Sequence, residues 1–63
     1  MVSVVDVEQD AIVLDVWTIT YTLADRHPRT LTVSAPHRDA AVAEAVRELA
    51  ERYSTPIAER WRP

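Results

Sequence analysis

Neither glycine nor asparagine occurs in this 63-residue chain. They are the two residues that enter the left-handed backbone region at least cost. Two-residue hairpin turns and left-handed helix caps both favour them. The sequence therefore predicts longer loops built on Asp and Pro, and a helix stopped by Pro56 rather than by a left-handed cap. The turn segments are Glu8-Gln9-Asp10, residues 25–29, Ala35-Pro36-His37 and Ser54-Thr55-Pro56. Missing glycine also bears on chemistry. Phosphate-cradling loops and nucleophile elbows are built on glycine.

Between these turns lie two segments with strand periodicity. Trp17, Ile19, Tyr21 and Leu23 alternate with Thr18, Thr20 and Thr22. Leu31 and Val33 alternate with Thr30, Thr32 and Ser34. Such alternation of β-branched and aromatic residues marks half-buried strands. Pairing Leu23 with Leu31 and Tyr21 with Val33 closes a hairpin over the turn at residues 25–29. Upstream the period breaks: Ile12, Leu14 and Val16 are apolar at even positions, and Trp17 onward at odd ones. A one-residue slip inverts the faces of a strand. The sequence thus predicts a β-bulge or bend at residues 15–17, or a strand covered on both faces, one of them by a second subunit. Residues 2–7 read as a further strand pairing with this segment.

From residue 37 to 53 the period becomes helical. Val42, Val46, Leu49 and Tyr53 form an apolar stripe that Ala45 and Ala50 widen. Asp39 or Ser34 is the expected cap, with Pro36 in the first turn. The expected fold class is α+β, a small two-layer domain. An antiparallel sheet of two to three strands (residues 2–7, 11–23 and 30–34) packs on one helix (37–53). Residues 1–63 form one domain, and 57–63 are a short strand, a helical turn or a flexible tail.

At 7.1 kDa, a single core rarely supplies more than about 3–5 kcal/mol. The chain has no Cys, which removes disulfides, thiolate zinc sites and Cys nucleophiles. Self-association is the remaining common source of stability. No apolar run reaches the ~18–20 residues of a membrane span. The first residues carry acids and no Arg, so a secretory signal is not expected, and the predicted location is cytoplasmic. All seven basic residues are Arg, which suggests GC-rich codons and a high-GC bacterial or phage origin.

The formal net charge is −3, unevenly spread. Residues 1–25 carry acids and no base, whereas residues 26–63 carry every Arg. This predicts either a dipolar solvated surface, head-to-tail pairing of an acidic and a basic end, or a basic patch meeting an anionic partner.

Two families share parts of this outline. The Thr-rich hairpin, the Val33-Ser34-Ala35-Pro36 exit, the helix led by Asp39 and the following Pro56 resemble the opening of ubiquitin-like β-grasp domains. That resemblance implies a partner-binding module whose final strand pairs beside the first. Without glycine it does not extend to a conjugation tail. Strands followed by Ala40-Ala41-Val42-Ala43-Glu44-Ala45-Val46 also resemble the small HicB-type antitoxin domain, whose strand ends are usually Gly-rich where these are not.

No catalytic pattern emerges, and the sequence predicts no enzyme, cofactor or metal site. His27 and His37 flank one strand and are expected roughly 17 Å apart, as exposed loop residues. The Thr face is either a solvated sheet face or a surface for association. The Arg-rich places are Arg26, Arg29 and Arg38 and the tail with Arg60, Trp61 and Arg62. Arg beside an aromatic suits base stacking and phosphate contact. It equally suits a protein interface, and Trp61 can fold back over the sheet end. The expectation is therefore a small non-enzymatic adaptor or regulator that binds proteins, acts as a homodimer and contacts its partner through Ile12, Leu14, Val16 and Trp61. The first alternative is a nucleic-acid-binding regulator using Arg26, Arg29, Arg38, Arg60 and Arg62. The second is an antitoxin or inhibitor of a host protein. A membrane partner is not expected.

Overall fold

Strict alternation produces the central strand. In the computed structural model, which describes residues 1–62, Trp17, Ile19 and Tyr21 are buried. The interleaved Thr18, Thr20 and Thr22 are half-buried on the opposite face. The elements in order are β1 (Val2–Gln9), β2 (Val16–Thr22), β3 (Pro28–Ser34), α1 (Arg38–Tyr53) and β4 (Ile57–Glu59). They form one helix packed on a four-stranded mixed sheet of order β3-β2-β1-β4. The three N-terminal strands form an antiparallel meander. The helix then carries the chain across the sheet, so that β4 runs parallel to β1.

The sheet thus has four strands rather than two or three. Residues 57–59 of the expected tail are the fourth, bonded through Val2↔Ile57 to Val4↔Glu59, and the Arg60 amide donates to the Val4 carbonyl oxygen at 2.7 Å. Pro63, the last residue of that tail, lies outside the described residues.

Strand β2 begins at Val16, not at residue 11, and no bulge occurs at residues 15–17. Ile12 and Leu14 belong to a loop and have no strand face, so their parity says nothing about Trp17. The register shift lies in β1 instead, between Val4 and Asp6. Val2 and Val4 point into the core before it, and Val7, opposite Ile19, does so after it. The extra residue, Val5, lets one strand serve one core with both parities.

The hairpin register also differs from the expected one. Ile19 pairs with Leu31 and Trp17 with Val33, four positions from the predicted pairing, which keeps every face unchanged. Strand β3 starts at Pro28, at a sheet edge where its missing N–H costs nothing.

The backbone turns left-handed without glycine at two places. Arg26 has φ 61° in the β2–β3 loop, and Ser54 has φ 51° just after the helix. Helix α1 therefore ends on a left-handed cap after all, with Pro56 beyond it. Its N-cap is His37, whose Nδ1 accepts from the Ala40 amide at 3.2 Å. His37 has the extended backbone that a cap needs, and neither Asp39 nor Ser34 takes that place.

The core joins Val2, Val4, Trp17, Ile19, Tyr21 and Val33 of the sheet to Ala41, Ala45 and Leu49 of the helix. Full burial of side chains such as Ile19 and Leu49 contributes about 1.5–3 kcal/mol each. The buried helix stripe centres on Ala41, Ala45 and Leu49, one turn apart, with Val42 beside it and Val46 only half-buried. No described element covers the other face of the sheet.

Candidate functional site

The β1–β2 connection is held by hydrogen bonds yet turns its apolar side chains outward. The Asp10 carboxylate accepts from the amides of Ile12 (3.0 Å) and Val13 (2.6 Å). The Asp10 amide donates to the Val16 carbonyl oxygen at 2.8 Å, and the Val16 amide to that of Val13 at 3.0 Å. Gln9 Nε2 donates to the Leu14 carbonyl oxygen at 2.9 Å. The bonds from Val13 first, and then Ile12, hold the Asp10 carboxyl below its ordinary pKa. On this fixed backbone Ile12 is 89% exposed, Val13 53% and Leu14 60%. Single exposed apolar residues are ordinary, but contiguous ones mark interaction surfaces.

Sequence reasoning named Ile12 and Leu14 and missed Val13 between them. Val16 is separate from the tip. It opens β2 opposite Ser34, half-buried on the open face of the sheet. Trp61 is half-buried against the core. It lies at the start of the helix, with the Arg62 guanidinium 4.3 Å and that of Arg38 5.9 Å from its ring. Arg62 also pairs with Asp39 at 3.5 Å.

The five arginines named from the sequence therefore divide among three places. Arg38 and Arg62 flank Trp61. Arg29 makes a two-pronged ion pair with Asp25, at 2.9 and 3.1 Å, which pins the β2–β3 loop. Arg29 first, and then the His27 amide, hold the Asp25 carboxyl far below its usual range. Arg26 and Arg60 border a groove of about 530 Å³, floored in part by Met1, Val5 and Leu23. Nothing in the sequence joined Met1, Val5, Leu23, Arg26 and Arg60. The signal that was present is the adjacent pair Val4-Val5, which breaks alternation and marks the bulge.

Among the described residues, no three His, Asp or Glu side chains gather to hold a metal ion. No described helix is long and apolar enough to cross a membrane. Compared with known protein families, curated proteins and solved structures, the chain matches none.

Proposed function

We propose that this chain is a non-enzymatic protein-interaction module that acts as a homodimer, serving as a small adaptor or regulator of bacterial or phage origin. The observation that carries this reading is the exposed Ile12-Val13-Leu14 tip on a loop whose backbone is pinned at Asp10, Val13, Leu14 and Val16. A loop that ordered its backbone only to close a hairpin has no need of three outward apolar side chains. A partner that covers them gains burial free energy with little ordering cost, because the loop is already ordered. The small core and the absence of disulfides favour a second copy as that partner. Sedimentation equilibrium across micromolar concentrations tests the reading. A dimer mass is expected, and a monomer at every concentration overturns it.

One further observation favours the nucleic-acid alternative: the guanidinium of Arg62 stacked on Trp61, beside Arg38. That reading requires binding that weakens with salt, and the absence of a mobility shift with DNA or RNA at low salt removes it. An antitoxin or inhibitor would present the same apolar tip to a different protein. Capture of one specific host protein by the wild type, but not by Leu14→Ser, is its signature.

A further inference from the structure

The groove bordered by Arg26 and Arg60 and the Ile12-Val13-Leu14 tip are complementary in two respects. The tip is an apolar knob, and Met1, Val5 and Leu23 give the groove an apolar floor. Among the described residues, Arg26, Arg60 and Arg38, the last of them on the helix beside Trp61, join no ion pair, whereas Arg29, Arg47, Arg52 and Arg62 each have a carboxylate partner. The carboxylates near the tip are likewise without a cation. Asp15 closes the loop, and Glu8 lies on the open face opposite Thr18, while Asp6 sits at mid-strand opposite Thr20. The uncommitted charges of this face are thus sorted, acids toward the tip and bases toward the groove.

A single copy cannot bring the two ends together. The groove lies where Ser3 pairs with Thr22, and the tip lies beyond the pair Gln9↔Trp17. Six strand residues separate these pairs by about 20 Å. Two copies related by a two-fold axis, with strands opposed, bring both ends together at once and leave neither tip nor groove unfilled. Such pairing is closed and self-complementary, unlike an open head-to-tail chain. Between the two ends the face carries Thr18, Thr20, Thr30 and Thr32, short side chains that suit sheets stacked about 10 Å apart.

We propose that two copies of this chain pack open face to open face with their strands antiparallel. The Ile12-Val13-Leu14 tip of each seats in the Arg26–Arg60 groove of the other. Arg26 and Arg60 of one copy then face Glu8 and Asp15 of the other. The arrangement rests on the homodimer reading and specifies its surface. It also accounts for Arg26, a non-glycine residue held left-handed at the groove's rim by its amide bond to the Leu23 carbonyl oxygen.

Complementation tests it. A tip variant carries Ile12→Ser and Leu14→Ser, and a groove variant carries Arg26→Gln and Arg60→Gln. Circular dichroism melts establish that both are folded. Each variant alone is expected to dimerise at least about tenfold more weakly than the wild type. Their equimolar mixture recovers a dimer, because one intact tip then meets one intact groove. A wild-type monomer overturns both this arrangement and the homodimer reading. A wild-type dimer that either variant leaves unweakened, or that the mixture fails to restore, overturns the arrangement alone. So does wild-type growth beyond a dimer.

Discussion

The Trp17 indole donates a buried hydrogen bond to the carbonyl oxygen of Ala35, 3.0 Å away. The Ala35 amide in turn donates to the Asp15 carbonyl oxygen at 2.8 Å. One residue after β3 therefore ties down both the start of β2 and the base of the exposed tip. Trp17→Phe keeps an aromatic ring in the core but leaves the Ala35 carbonyl without its donor. An unsatisfied buried acceptor costs about 1–3 kcal/mol, and the lost ring atoms add to it. The expected loss is about 2 kcal/mol in urea unfolding, with an unchanged slope on denaturant.

The left-handed cap at Ser54 yields a gain. A residue with a Cβ pays roughly 1–2 kcal/mol for this conformation, and glycine pays almost none. The same freedom costs glycine some entropy in the unfolded chain, so Ser54→Gly is expected to stabilise by about 1 kcal/mol. That corresponds to a rise in melting temperature of roughly 4–8 °C for a domain near this size. Ser54→Ala keeps the Cβ and is expected to gain nothing. Equal melts for the Gly and Ala variants would show that the cap costs nothing.

At the other end of the helix, His37 caps with a single ring nitrogen. Asp in the same extended backbone accepts from the same Ala40 amide and adds negative charge at the positive end of the helix dipole. His37→Asp is expected to stabilise by about 0.5–1 kcal/mol in chemical denaturation. His37→Ala loses the cap and moves the midpoint the other way.

The strands with unbroken alternation, β2 and β3, were legible in the sequence, as was the helix between Pro36 and Pro56. Parity failed where chain outside a strand was read as strand. Ile12 and Leu14 shifted the expected bulge to residues 15–17, although Val2, Val4 and Val7 carry the same parity switch and mark its true place in β1. The hairpin register was misread because it depends on Arg26 turning left-handed, which its residue type disfavours. Strand β4 has three residues, too few to show a period. Half of the candidate site was visible as an apolar surplus. The groove was not, because Val5, Leu23, Arg26 and Arg60 meet only once the sheet is assembled.

Acid should weaken the fold and loosen the tip, through two carboxylates. Asp10 and Asp25 both sit below the ordinary 3.8 in the folded chain, held by the Val13 and Ile12 amides and by Arg29 with the His27 amide. A depressed folded pKa means that the unfolded chain takes up protons first as pH falls. The stability these groups contribute is complete above about pH 4 and drains away below it, as pH passes down through the folded values. Melting temperature is therefore expected to fall between pH 4 and 2. Asp25→Asn removes one of the two depressed groups, lowers the melting temperature at neutral pH and flattens the acid decline. The tip can be followed separately, because protonating Asp10 weakens its bonds to the Ile12 and Val13 amides. Their proton chemical shifts are expected to move together with a midpoint below 3.8, and to stay still in Asp10→Asn. Amide shifts at Ile12 and Val13 that ignore pH would show that Asp10 does not hold the tip.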